Sequence, residues 1–191
     1  MRYCRATLAG ATYFFTVNLA ARRGDHLTRH IDLLRDVIHR VKIAHPFHID
    51  AMVVLPDHIH AMWTLPDDDA DYPMRWPLIK AGFSRGLSKT ERINESRQSK
   101  RERGIWQRRY WEHLIRNERD YAAHVDYIHI NPVKHGYVIR AVDWPYSSIH
   151  QYVERGMVVA DWGLSPMMLG TLAKLRYAEC WASCFSPTYS G

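Results

Sequence analysis

"FHIDAMVVLPDHIHAMWTLP", residues 47–66, is the stretch on which the fold turns. Two apolar, β-branched and aromatic runs flank the dipeptide Pro56-Asp57, a tight-turn signal. The runs read as strands over 47–56 and 58–65, joined as a hairpin. His58 and His60 sit inside the second strand, one residue apart. Successive side chains of a strand alternate faces, so both histidines point one way and Ile59 and Ala61 the other. Their backbones stand roughly 7 Å apart by the standard strand rise. Two imidazoles so placed could converge on one small ion and leave positions open for substrate. Two solvated histidines on an exposed sheet face would give the same pattern, and spacing alone leaves both readings open.

Outward from the hairpin, residues 11–20 ("ATYFFTVNLA") read as another strand. In 27–46, Leu27, Ile31, Leu34, Ile38 and Val41 recur at helical spacing, and Pro46 ends the run. Residues 67–73 are a polar loop. Residues 74–93 read as a helix, from Pro77 onward, and 94–104 as a charged connector. Residues 105–116 read as a strand of ragged alternation. Residues 117–130 read as a helix with Asn117 as N-cap and acids in its first turn. Pro132 should end or kink that helix at Asn131. The order β-α-β-β-α-β-α implies an α+β fold, ferredoxin-like and RRM-like. In this split-βαβ plan helices cover one face of an antiparallel sheet. Residues 1–136 form the expected domain, and 137–191 a C-terminal extension packed on it.

The chain has 191 residues, 47% of them hydrophobic and 12% aromatic, enough for one core. Lys and Arg number 26 against 20 acids, a formal charge of +6 that suits a polyanion such as nucleic acid. Cys4, Cys180 and Cys184 lack zinc-ribbon spacing and are too few for a disulfide scaffold. With no secretory signal and no run of membrane-spanning length, the expectation is a reduced cytoplasmic protein without membrane attachment.

The last helix divides at about 100° per residue into two stripes. Tyr121, Val125 and Ile128 form a core stripe; Asp120, His124, Tyr127 and Asn131 form another. Tyr127 and Asn131 are an i,i+4 pair, so an amide oxygen lies one turn beyond a phenol. That pair could complete a metal site or merely sit at the sheet edge with Asn131 capping before Pro132. His124, one turn before Tyr127, could assist it or be a plain surface histidine. In 97–111, "RQSKRERGIWQRRYW", Arg97, Lys100, Arg101, Arg103, Arg108 and Arg109 interleave with Trp106, Tyr110 and Trp111. Cations can meet phosphates while aromatics stack on unpaired bases; a solvated charge run is the alternative for 97–103. Arg22 and Arg23 are further candidates. An RNA-recognition module would share the plan, but the glycine-flanked strand aromatics of that fold are absent and it leaves the histidine pair unexplained. A two-histidine phosphodiesterase would need two His-x-Thr/Ser motifs, which "HIH" does not match.

"VVLPDHIHAMWTLP", "YWEHLIRNERDYAAHVDYIHINPVKHGYV" and "DWPYSS" together resemble the REP-associated tyrosine transposases, relatives of the single-tyrosine His-hydrophobe-His (HUH) transposases. The resemblance runs over nearly all of residues 10–150, with the motifs in the right order and spacing. It implies that His58 and His60 bind a divalent metal, Mg2+ or Mn2+, and that Tyr127 is the nucleophile. Asn131 stands where relatives often carry a Gln ligand, one methylene longer. It also implies a single-stranded DNA endonuclease and strand transferase acting through a 5′-phosphotyrosine. Its substrates would be imperfect hairpins from repetitive extragenic palindromes, with an adjacent tetranucleotide also read. One nucleophile per chain makes two cleavages the work of two subunits or two successive events, so monomer and homodimer both fit.

Overall fold

A computed structural model describes residues 7–21, 24–89 and 103–163. Arg22, Arg23, Arg97, Lys100 and Arg101 lie outside the described residues, as do the three cysteines.

Four strands form one antiparallel sheet in the order β2-β3-β1-β4. They are β1 (Thr12–Asn18), β2 (His48–Val54), β3 (His58–Thr64) and β4 (Trp111–Leu114). The hairpin is as read, with β2 and β3 joined across Leu55–Asp57. β3 lies beside β1, with Asn18 opposite His58 and Thr16 opposite His60. This is the split-βαβ order, and the α+β reading holds.

Helices α1 (His26–Arg29) and α2 (Ile31–Ala44) replace the single helix expected over 27–46, because the backbone leaves helical geometry at His30. Helix α3 spans Tyr72–Gly86. It starts earlier than Pro77, because the Asp71 side chain accepts from Met74 N and caps it. Leu34, Val37, Ile38 and Val41 of α2 and Tyr72, Trp76, Ile79 and Phe83 of α3 bury their apolar stripes on one sheet face. There they meet Tyr13, Phe15, Val17, Ile59, Ala61 and Trp63. The Trp63 and Trp76 rings stack at 4.2 Å. Glycine permits the helices to close: a Cβ on Gly82 would stand 2.7 Å from Val37 Cγ1, and one on Gly86 2.6 Å from Leu33 Cδ1.

Helix α4 (Glu118–Lys134) lies on the opposite face. One detail of the expected architecture is therefore corrected: helices flank both faces of the sheet. Val125 and Ile128 pack on Phe14, Ala51, Val53 and Met62. The reason is visible in the strands, whose second face still carries apolar residues that need cover. Asn117 caps α4 by accepting from Asp120 N at 2.9 Å. The helix does not stop at Asn131 but runs one turn past it. Pro132 removes one N–H, yet His135 N and Tyr137 N still donate to the Asn131 and Pro132 carbonyls.

β4 is shorter than expected, but the segment before it continues along β1. Ala20 N donates to Ile105 O and Gln107 N to Asn18 O, both within 3.0 Å. "DWPYSS" (143–148) is the ordered turn anticipated, and it covers the open edge of β2. Val54 N donates to Tyr146 O, Ser148 N to Met52 O, and Trp144 Nε1 to Val54 O. Helix α5 (Ile149–Glu154) follows, with Tyr152 donating to Asp50 O. Among the described residues no helix is long and apolar enough to cross a membrane.

Candidate active site

The period of β3 turns Ile59, Ala61 and Trp63 into the α2/α3 core and His58 and His60 toward α4. The two imidazoles are 4.8 Å apart, centroid to centroid, and both are buried. Each is oriented through Nδ1. His58 Nδ1 donates to Asp57 Oδ1 at 2.7 Å, and His60 Nδ1 shares a hydrogen bond with Thr16 Oγ1 at 2.9 Å. Where Nδ1 carries the proton, Nε2 offers a lone pair, the arrangement typical of a metal-binding histidine. Burial, with the neighbouring His58, His135 and Lys134 adding to it, pulls the His60 pKa well below its ordinary value. His60 is thus a neutral imidazole at pH 7. The Nε2 atoms of both histidines are buried without a hydrogen-bond partner. An unmet buried polar atom costs about 1–3 kcal/mol.

Helix α4 lies over this pair. The Tyr127 ring is 5.1 Å from the His60 ring, and the His135 ring, two turns later, is 5.2 Å from that of His58. Asn131 lies between them on the same helical stripe and is fully buried. Its Nδ2 donates to Tyr127 O, while its Oδ1 is a third buried acceptor without a partner. Two imidazole nitrogens and an amide oxygen, all buried and without a partner, are donor types that a divalent cation takes.

Tyr127 packs edge-on against Phe14 at 5.9 Å, and Lys134 Nζ stands 5.0 Å from its ring centre. Burial pushes the phenol pKa up, and a hydrogen bond from Asn131 opposes this. Tyr121 is engaged elsewhere: its hydroxyl donates to Asp50 Oδ1 at 3.1 Å. Burial and the Asp50 charge push its pKa far above the ordinary value. The stripe that separated Tyr127 from Tyr121 in the sequence is the one the structure shows.

His124 is not the surface histidine the sequence suggested. It is buried, 4.7 Å from Phe14, with its Nδ1 facing the Asp120 carbonyl and carboxylate at 2.8 and 3.1 Å. His113 Nε2 donates to the same carboxylate at 2.9 Å. Asp120 is held ionised against the opposing effect of burial, chiefly by the His113 hydrogen bond. Burial lowers the His124 pKa. The donor atoms of His113, Asp120 and His124 all lie within 4.8 Å of one another, a possible metal-binding triad.

The basic segment divides. Arg103 donates to the carbonyls of Ser84, Leu87 and Ser88, closing the C-terminal end of α3. Trp106 is only 8% exposed; it packs on Phe83 and its Nε1 donates to Lys80 O. In this structure Arg103 and Trp106 hold the segment to the core, and both also line a cavity with Lys80, Arg108 and Tyr110. Arg108 and Arg109 are exposed. Sequence reasoning missed Asp57, Thr16, His135 and Lys134. Asp57 adjoins His58, and "NPVKHG" carries Lys134 and His135, so part of the signal lay inside motifs already quoted.

No family model matches the chain. A protein of Escherichia coli strain K12 named REP-associated tyrosine transposase is 47% identical over 160 residues, covering 84% of this chain and 89% of that protein. A Haemophilus influenzae protein assigned to the same family is 46% identical over 165 residues, covering 86% and 94%. Among solved structures, a REP-associated tyrosine transposase bound to a REP hairpin superimposes with a TM-score of 0.74 at 45% identity, covering 86% of this chain and 93% of that one. Identity at this level over nearly the full length of each relative places the chain in a family: it belongs to the REP-associated tyrosine transposases.

Proposed function

We propose that this protein is an enzyme that binds single-stranded REP-type DNA hairpins and cleaves and rejoins them through Tyr127. The observation that carries this reading is the set of three buried, unsatisfied acceptors beside a tyrosine: His58 Nε2, His60 Nε2 and Asn131 Oδ1. Hairpin recognition is carried over from the related structure, whose ligand is a REP hairpin.

The three acceptors would hold a divalent metal, Mg2+ or Mn2+, which supplies Lewis-acid polarisation of a non-bridging phosphate oxygen. Asp57 and Thr16 keep the two imidazoles turned toward it. Packing of Tyr127 between Phe14, His60 and Lys134 limits its rotamers and fixes its direction of attack. The Tyr127 oxygen bonds to phosphorus and the P–O3′ bond breaks. The phenol proton leaves to water, and the departing 3′ oxygen takes a proton to become a hydroxyl. The 5′-phosphotyrosine preserves the phosphoester bond, so a 3′-hydroxyl can rejoin the strand without a nucleotide cofactor. Arg108 and Arg109 would track the backbone of an unpaired flank. Arg22, Arg23 and Arg101 belong to the same proposal. The protein would act in the cytoplasm, as a monomer or homodimer.

The test is a flanked single-stranded REP hairpin incubated with chelator-treated protein and resolved on a denaturing gel. Covalent adduct is expected with Mg2+ or Mn2+ and not in excess chelator. Undiminished cleavage in chelator would remove the metal from the reaction; hairpin binding with no cleavage under any metal would leave a binding module.

A further inference from the structure

Outside the His58/His60 pair, a cluster of three ligating groups among the described residues joins the edge strand β4 to the first turns of α4. His113 pairs with Phe14 across the sheet and so projects from the α4 side. Its ring stacks on that of His124 at 4.8 Å and 18°. The Asp120 carboxylate lies between their nitrogens, 2.9 Å from His113 Nε2 and 3.1 Å from His124 Nδ1. Ligands of one ion, each about 2.0–2.2 Å from it, stand roughly 3–4 Å from one another, so this spacing needs little adjustment. The cluster is also sheltered: His124 is 2% exposed, and the His113 and Asp120 side chains are 22% and 15% exposed. Among the described residues no Lys or Arg side chain pairs with Asp120, whose carboxylate also accepts from Arg116 N at 3.0 Å.

We propose that His113, Asp120 and His124 form a second metal site, distinct from the His58/His60 pair, that takes a borderline divalent cation of the Zn2+ or Co2+ kind. The donor set argues for the class. Two imidazoles and one carboxylate are ligands that such ions commonly take. The nitrogens that now face the carboxylate are the ones that would bind, with loss of their protons. Bound there, the ion would pin α4 to β4. The consequence reaches the nucleophile through two short paths. His124 is one turn before Tyr127, and Phe14 touches both His124 and Tyr127.

Cobalt alone is the probe, so the test does not depend on cleavage. Full-length protein is stripped with chelator and titrated with Co2+, read by calorimetry and by visible absorption. Three proteins are compared: the natural sequence, His58→Ala/His60→Ala, and that double variant with His113→Gln and Asp120→Asn added. Circular dichroism confirms that each is folded. The double variant should retain one tight equivalent of Co2+ with the absorption of a nitrogen-ligated, low-coordinate ion. The quadruple variant should lose it. A folded double variant that binds none overturns the second site, as does a quadruple variant that still binds one. The reading of the His58/His60 pair is judged separately: if it fails while the triad stands, the natural protein and the double variant bind the same single equivalent.

Discussion

The two faces of the sheet are built from the same strands and obey opposite rules. On the α2/α3 side, Phe15, Ile59, Ala61 and Trp63 meet Trp76, Ile79 and Phe83 in a dry apolar layer. On the α4 side, Phe14 and Met62 share space with Thr16, His58, His60, His124 and Asn131, all buried and polar. The first face gains stability chiefly from buried apolar area, though the Nε1 donors of Trp63 and Trp76 are buried there without a hydrogen-bond partner. The second retains three acceptors with no partner, a cost that folding alone does not explain. The comparison teaches that one strand period separates the scaffold from the chemistry. Each β3 residue serves one or the other according to parity.

The comparison breaks if the faces are not separable by mutation. The largest effect is expected from His60→Leu, which should lower hairpin cleavage by more than about 100-fold, the scale reached by losing even an outer partner of a metal ligand. Its midpoint in urea should stay within about 1 kcal/mol of the natural protein, because an unmet polar atom is removed with the ring. A parallel loss of stability would show that His60 is scaffold.

Trp63→Ala, three residues along the same strand, should do the reverse. Loss of a buried indole costs about 3–5 kcal/mol. Urea denaturation should show that loss, while the remaining folded protein cleaves at an undiminished rate per molecule.

A smaller effect sharpens the scaffold side. Gly82→Ala should cost about 1–3 kcal/mol, because the added methyl meets Val37 Cγ1 at 2.7 Å. Thermal unfolding checks it; no change would show that α2 and α3 part easily.

Legibility in the sequence followed the same division. Alternation and helical spacing over 12–64 revealed the hairpin and the α2 stripe, because burial on one face leaves a strong period, while the split-βαβ plan came from the order of elements along the chain. The parity of His58 and His60 and the stripe joining Tyr127 to Asn131 each left a bland reading open, and it was the resemblance to the REP-associated tyrosine transposases that singled these residues out. The position of α4 on the opposite face was not legible, since periodicity tells which side of a helix is covered and not by what. The packing of Arg103 and Trp106 was not legible for a related reason. A cation and an aromatic in a basic run look the same whether they meet phosphate and base or helix carbonyls and a core. Asp57, Thr16 and His135 act only through contacts between segments far apart or through ring orientation, which spacing does not encode.

The smallest expected effect concerns the edge of the site. Arg108→Ala and Arg109→Ala should each flatten the salt dependence of hairpin affinity by up to about one unit, if each meets one phosphate. Arg103→Ala should instead lower stability and leave that slope unchanged. Filter binding at several salt concentrations separates the two.

The central claim, that the polar face carries the chemistry through Tyr127, is tested most directly by locating the covalent bond. A hairpin interrupted at the scissile position would trap the adduct, and mass spectrometry of its peptides would identify the modified residue. The account predicts nucleotide mass on Tyr127 in the natural protein and none in Tyr127→Phe with hairpin binding intact. Modification of Tyr121 or Tyr110, or an adduct that persists in Tyr127→Phe, would contradict it.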